Sequence, residues 1–131
     1  MILVLDTSIL IDIERKREET IEKLEELSKR YPSPARITFI SEFELMVGIK
    51  EQVQKKQEQT ISFLNKFTKI QTSEKTAEIL ANLKYKYDKK GIVIPLADLL
   101  IATLVIENNF YLITKDEDFS KIEELNKAIL R

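Results

Sequence analysis

A chain of 131 residues with 44% hydrophobic and 33% charged residues has the composition of a folded protein rather than a disordered one. It contains no cysteine and no histidine, which excludes disulfides, thiol nucleophiles, zinc fingers and imidazole bases. The formal net charge of −1 disfavours a general nucleic-acid coat, which would normally be basic. With glycine only at Gly48 and Gly91, no glycine-rich phosphate loop is possible. The chemistry must therefore rest on carboxylates, hydroxyls, Lys, Arg or Tyr.

The length predicts one domain over residues 1–131. The apolar start lacks the basic region and the cleavage site of a signal peptide. The longest nearly uncharged stretch, 91–106, is too short to span a membrane and contains a proline and an aspartate. We therefore expect a cytoplasmic protein without a membrane partner.

The beginning of the chain predicts a buried strand followed by two helices. Residues 1–5 are an uncharged apolar run, which is typical of a strand buried on both faces of a parallel sheet, and Asp6 follows at its carboxyl end. A helix is predicted over 8–17, with Ser8 as its N-cap. An amphipathic helix over 18–30 comes next and ends before two prolines.

The middle of the chain predicts a second and a third strand around a helical region. Residues 36–40 are β-branched and aromatic, which predicts a strand. Ser41 is then the expected N-cap of a helix, with Glu44 completing a capping box, and the helical pattern continues with breaks to about Asn65. Alternating residues at 67–71 predict the third strand.

The remainder of the chain predicts two more helices and two more strands. One helix begins at Ser73 and ends at Gly91, and an apolar helix begins at Asp98. A strand at 110–114, an acidic loop at 115–119 and a last strand at 128–130 follow. Strands that alternate with helices predict a three-layer α/β fold, with a central parallel sheet of four to five strands flanked by helices.

Four carboxylates fall at related places in this pattern. Asp6 and Asp116 follow predicted strands, whereas Glu44 and Asp98 lie in the first turns of predicted helices. In a parallel sheet, the strand ends and the starts of the following helices lie at the same edge. We therefore expect these side chains to converge there.

Each carboxylate also has a purely structural explanation. Asp6 would cap a helix, Glu44 would complete the capping box, Asp98 would interact with a helix dipole, and Asp116 with Asp118 would form a solvated turn. These explanations do not account for convergence. Gathered carboxylates repel one another, and hard cations such as Mg²⁺ or Mn²⁺ are the usual remedy. The residues thus favour metal-dependent phosphodiester hydrolysis, which needs no imidazole.

Four segments of the chain resemble, in order and spacing, the motifs of the PIN-domain family, and most closely its VapC-like toxin ribonucleases. They are V-L-D-T-S at 4–8, E-L-M-V-G at 44–48, A-D-L-L-I-A at 97–102 and I-T-K-D-E-D-F at 113–119. The resemblance implies a three-layer PIN-like domain in which the strands before Asp6 and Asp116 are neighbours. It also implies an endoribonuclease that uses Mg²⁺ or Mn²⁺, forms a homodimer, cleaves tRNA, rRNA or mRNA and is inhibited by a cognate antitoxin.

The resemblance also implies roles for individual residues. It makes Asp6, Asp98 and Asp116 metal ligands, and Glu44 a further ligand or the acid that orients the attacking water. Asp118 is a further possible ligand. The hydroxyls expected to hold these carboxylates or a phosphate are those of Thr7, Ser8 and Thr114.

The remaining assignments stay open at this point. Glu42 is a reserve for Glu44, since only one of the two can point into the cleft. Lys115 and Arg15 are candidate RNA-binding residues, although solvated basic residues are the simpler explanation for most such positions. The alternatives to a toxin are a housekeeping RNA-processing nuclease and a PIN-like module that binds RNA or protein without cleaving.

Overall fold

The computed structural model describes residues 1–131 and contains one sheet of five parallel strands. The strand order is β3-β2-β1-β4-β5, so the first strand lies at the centre. This confirms the predicted parallel α/β fold. The strands are β1 Leu3–Leu5, β2 Arg36–Thr38, β3 Thr68–Ile70, β4 Tyr111–Thr114 and β5 Lys127–Ile129.

Six α-helices flank this sheet, and a 3₁₀ helix, Glu117–Lys121, lies between β4 and β5. None of the helices has the length and apolar character that crossing a bilayer requires. The α-helices are α1 Thr7–Glu14, α2 Glu18–Arg30, α3 Phe39–Gly48, α4 Gln54–Leu64, α5 Thr76–Lys89 and α6 Leu96–Glu107.

The central strands bury side chains on both faces, which produces two cores. Val4 and Leu112 belong to a core with residues of α5 and α6, whereas Leu3, Leu5 and Ile113 belong to a core with residues of α1, α3 and α4. Successive side chains of a strand point to opposite faces, so neighbouring residues enter different cores. This explains why the first strand is apolar at every position.

The register of β1 and β4 brings two distant chain segments together. Leu5 pairs with Ile113, and the amide of Asp6 donates a hydrogen bond of 3.0 Å to the Ile113 carbonyl. Asp6 therefore lies beside the end of β4, where Asp116 follows. The expectation that the strands before Asp6 and Asp116 are neighbours is confirmed.

The first helix differs from its prediction at both ends. It begins at Thr7, so Asp6 rather than Ser8 occupies the N-cap position, and the Asp6 side chain makes no capping hydrogen bond to the helix. It ends at Glu14 rather than Arg17, because Lys16 adopts a φ of 57°, which an α-helix does not accommodate.

The capping box predicted at Ser41 is wrong. β2 ends at Thr38, and the Thr38 hydroxyl accepts a hydrogen bond of 3.2 Å from the Ser41 amide, so Thr38 is the N-cap and α3 begins at Phe39. Thr38 satisfies a first-turn N–H that has no partner within the helix. Ser41 and Glu44 are thereby left free for other contacts. The helical region to Asn65 is two helices, since α4 begins again at Gln54.

The later elements are shifted by a few residues from their predicted bounds. α5 begins at Thr76 rather than Ser73, because the Thr76 hydroxyl accepts the Ser73 amide in the preceding turn. α6 begins at Leu96, directly after Pro95, which places Asp98 in its first turn. The predicted acidic loop at 115–119 is largely the 3₁₀ helix, since the Asp116 carboxylate accepts the Asp118 amide and caps it.

Candidate active site

Asp6 is a buried carboxylate held by two hydroxyls. Its side chain lies at the end of β1, and the residue is only 5% exposed. The Thr114 hydroxyl donates to Asp6 Oδ2 at 2.6 Å and the Ser8 hydroxyl donates to the same oxygen at 3.3 Å. Burial raises the pKa of Asp6 above its ordinary value, and the Glu44 charge raises it further, whereas these hydrogen bonds oppose the rise.

The same two hydroxyls also attach the segment after β4 to Asp6. Ser8 Oγ accepts the Lys115 amide at 3.1 Å, and Thr114 Oγ1 accepts the Asp116 amide at 3.0 Å. Each hydroxyl therefore accepts from the backbone of this segment and donates to the carboxylate. The position of Asp116 relative to Asp6 is determined by these paired contacts.

Three further carboxylates meet at this edge of the sheet. Asp98, Asp116 and Asp118 each have an oxygen within 4.8 Å of an oxygen of the other two. Asp116 Oδ1 accepts the Asp118 amide at 2.9 Å, and Asp118 Oδ1 also pairs with Lys121 at 2.8 Å. We call Asp98, Asp116 and Asp118 the carboxylate cluster.

Asp98 is the electrostatically strained member of this cluster. Its Oδ2 is buried and has no hydrogen-bond partner, which is true of no other buried side-chain nitrogen or oxygen in the structure. Burial raises the pKa of Asp98 to about 7, and the negative charges of Asp116, Asp6 and Asp118 contribute to this rise. An unpaired buried carboxylate oxygen is costly unless a cation or a proton compensates it.

Glu44 lies near Asp6 and is not a member of the carboxylate cluster. It is exposed on α3, and its Oε1 accepts a hydrogen bond of 2.8 Å from the Thr7 hydroxyl, which also lies 2.9 Å from Ser41 Oγ. Its charge contributes to the raised pKa of Asp6. Glu42, the reserve for Glu44, instead pairs with Lys69 at 3.2 Å.

Asp12 is a further buried carboxylate, on α1, that belongs to none of the predicted site residues and is 5% exposed. Its Oδ2 accepts from Lys115 Nζ at 2.8 Å and from the Thr20 hydroxyl at 2.6 Å, and Arg17 lies 3.4 Å from Oδ1. Burial raises the pKa of Asp12, but these donors outweigh it and bring the pKa below its ordinary value. The available signal was a carboxylate amid the apolar residues of a short helix.

This arrangement constrains the two candidate RNA-binding residues differently. The Lys115 ammonium is engaged by Asp12, next to the segment that carries Asp116. Arg15 is exposed, has no ion pair, and lines a cavity that Glu44 also lines. Only Arg15 therefore has an uncommitted charge.

Comparisons with known proteins agree on one family. Residues 3–125 match the PIN domain. The chain is 32% identical to ribonuclease VapC1 of Methanocaldococcus jannaschii, over 97% of this chain and 85% of that protein. It is 31% identical to ribonuclease VapC2 of Rickettsia felis, over 95% of both. A solved structure of VapBC2 from Rickettsia felis, bound to a DNA fragment from their promoter, superposes with a TM-score of 0.86 at 27% identity over the whole of both chains.

The fold and the matched residues together establish the class of protein. The chain belongs to the PIN-domain family, and within it the chain is similar to the VapC ribonucleases. A toxin–antitoxin complex from Klebsiella pneumoniae has the same fold, with a TM-score of 0.73 and 29% identity over 94% of both chains.

The strain at Asp98 predicts a pH-dependent stability of the metal-free protein. A carboxyl whose folded pKa of about 7 exceeds its unfolded value of 3.8 favours the folded state below pH 4, and this contribution is lost as the pH rises to 7. Asp98→Asn removes this titration. The free energy of unfolding of the variant minus that of the parent, both without metal, should therefore be about 2 kcal/mol larger at pH 8 than at pH 4. Urea unfolding in chelator at both pH values measures this, and equal pH dependence of the two proteins contradicts it.

The contacts of Asp12 predict that its carboxylate stabilises the fold at neutral pH, whereas that of Asp98 destabilises it. Asp12→Ala leaves Thr20 and Lys115 without their acceptor, so it should lower the free energy of unfolding at pH 7 by about 2 kcal/mol. The low pKa of Asp12 means that its contribution is present above pH 4 and declines as the pH falls through the folded pKa. Urea unfolding at pH 7 and pH 3 tests both statements, with Asp88→Ala as an exposed control. A loss at pH 7 no larger than that of the control would contradict the role.

Proposed function

We propose that this protein is a metal-dependent endoribonuclease and the toxin of a toxin–antitoxin pair, acting through a domain that spans residues 1–131. The observation that carries the proposal is the buried, unpartnered Oδ2 of Asp98 within a cluster of three carboxylates. Asp98 from α6 meets Asp116 and Asp118, which follow β4, at the carboxyl edge of the sheet, and Asp6 from the end of β1 adds its charge there. The similarity to VapC ribonucleases supports RNA as the substrate.

The donor chemistry of the cluster fits a hard divalent cation. All candidate ligands are carboxylate oxygens, which Mg²⁺ and Mn²⁺ prefer over the nitrogen and sulfur ligands of softer metals. Asp98, Asp116 and Asp118 would hold the ion, with Asp6 beside them. A bound divalent ion would supply Lewis-acid stabilisation of the phosphodiester and make water more acidic. It would also relieve the charge repulsion that raises the pKa of Asp98.

The residues of the chain supply orientation and proton transfer. Thr114 and Ser8 hold Asp6 in one orientation, and the same hydroxyls hold the backbone before the cluster. The exposed Glu44, held by the Thr7 hydroxyl, acts as a further ligand or orients the attacking water and accepts its proton. Thr7, Ser8 and Thr114 thus position carboxylates and do not themselves react.

Further partners follow from the same proposal. We expect a cognate antitoxin protein, a homodimer, and a substrate that is a tRNA, rRNA or mRNA in the cytoplasm. Phe39, Phe43 and Val47 on α3 are 47%, 62% and 54% exposed. Exposed large apolar side chains grouped on one helix support a contact with another protein chain.

Cleavage assays with carboxylate variants test the proposed chemistry. Incubation with a mixed tRNA and rRNA pool should yield new, mappable ends with Mn²⁺ or Mg²⁺ and none in chelator.

Asp6→Asn and Asp98→Asn should each lower the rate at least about 100-fold, since they remove charge that the ion requires. Asp88→Asn, which changes an exposed carboxylate on α5 paired with Lys84, is the matched control. Undiminished cleavage in chelator would falsify the metal dependence, and RNA binding without cleavage would indicate a non-cleaving module.

Lys115 is tested through the salt dependence of RNA binding. Because its ammonium is shared with Asp12, Lys115→Ala should weaken binding only a few-fold and reduce the slope of log K against log salt concentration by less than one. Lys29→Ala on α2, a lysine paired with Glu26 at 3.5 Å, is the control for loss of one exposed charge. If the slope for Lys115→Ala matches that of the parent, Lys115 makes no phosphate contact.

A further inference from the structure

A cavity of about 220 Å³ opens beside Glu44, between α1, α3 and the start of α4. Its apolar lining is formed by Ile11, Leu45 and Ile49, and the latter two are almost fully buried. This volume lies below the roughly 300–1,000 Å³ of pockets that enclose drug-sized ligands. The cavity therefore has the size for one ring system rather than for a larger molecule.

The cavity is continuous with the candidate active site. Thr7 and Glu44, which are joined by a hydrogen bond of 2.8 Å, line the cavity and also lie next to Asp6. An RNA whose phosphodiester lies at the carboxylates would carry the adjoining base towards the cavity. Among the chemical groups of RNA, only a nucleobase is both flat and largely apolar on its faces.

The polar wall of the cavity offers a hydrogen-bond acceptor and a cation. The Glu14 side chain is 14% exposed, and its Oε2 accepts from the Thr60 hydroxyl at 2.9 Å and lies 4.0 Å from Lys56 Nζ, whereas its Oε1 has no partner. A free carboxylate oxygen accepts hydrogen bonds from the exocyclic amino groups of guanine, adenine or cytosine. Uracil has no amino group, and its single N3–H donor lies between two carbonyl oxygens that repel a carboxylate. The unpaired Arg15 at the same wall is available to a phosphate or a base face.

Gly48 lines the cavity and keeps this space open. It is the last residue of α3 and has no positive φ, so its backbone accepts any L-residue. A Cβ built at Gly48 meets no atom within 4 Å. A larger side chain at this position would therefore extend into free space without a clash with the protein, and it would narrow the cavity.

We propose that this cavity is a base-binding subsite, which takes the nucleobase beside the scissile phosphate and favours bases with an amino group over uracil. The proposal rests on the proposed ribonuclease function and adds to it a determinant of sequence preference. The absence of a side chain at Gly48 leaves space for the base, and the Glu14 carboxylate provides the preference for a base with an amino group.

The test uses an oligoribonucleotide that the parent cuts at one mapped bond, and a matched oligonucleotide with an abasic nucleotide beside that bond. The parent should lose about tenfold in kcat/KM on the abasic substrate, as expected for one base contact. Gly48→Phe should have a kcat/KM about tenfold below that of the parent on the intact substrate, and it should show no further loss on the abasic substrate. The kcat/KM of Gly48→Ala on the intact substrate should lie between those of the parent and Gly48→Phe. Gln59→Phe, which adds the same side chain at an exposed neutral position of α4, should behave like the parent.

A second variant tests selectivity without changing the volume. Glu14→Gln can still accept from Thr60 but can also donate, so its preference for an amino-bearing base over uracil should fall several-fold while folding is retained. Independent losses from Gly48→Phe and from the abasic nucleotide would overturn the subsite. So would a Gly48→Phe variant that keeps its base dependence and loses only antitoxin binding, since the cavity would then take a protein side chain. A parent that cuts no RNA would instead contradict the proposed function.

Discussion

The main physical constraint on this structure is the burial of like charges at the carboxyl edge of its central strands. Asp6 is almost fully buried, and Asp98 has a buried oxygen without a partner. Folding therefore desolvates carboxylates and brings negative charges together, which raises the pKa of both side chains. Such a cost persists in a stable protein only when the surrounding core outweighs it, and it is typical of functional sites. The two apolar cores on either side of the sheet supply the stabilisation that outweighs this cost.

The groups around these carboxylates divide into a rigid side and an open side. On the rigid side, Thr114 and Ser8 connect Asp6 to the segment after β4, and Asp12 anchors the same segment through Lys115. On the open side, Glu44 is exposed and borders the cavity above Gly48. The rigid side holds the carboxylates in place, whereas the open side is accessible to an RNA strand. This asymmetry gives the proposed nuclease a direction from which substrate approaches.

Several features were predictable because they depend on local sequence. The uncharged run before Asp6 predicts a strand buried on both faces, and alternation of strands with helices predicts a parallel sheet, which places Asp6, Asp98 and Asp116 at one edge. The four ordered motifs predicted the family. The sequence predicts Asp118 only as a further possible ligand, because its place in the cluster depends on the 3₁₀ helix that Asp116 caps. No sequence pattern predicts the role of Asp12, because its partners Thr20 and Lys115 come from other elements.

Thr38 and Ser41 illustrate the boundary between the two kinds of information. The sequence predicts a strand through Thr38 and an N-cap at Ser41, so by itself it determined only that a strand is followed by a helix in this region. Tertiary structure decided the choice, since pairing with β1 and β3 ends β2 at Thr38, whose hydroxyl then caps α3. Ser41 and Glu44 thereby become neighbours of Thr7 from another helix. Patterns along the chain record which side chains are buried, whereas contacts between remote residues exist only after the layers have packed.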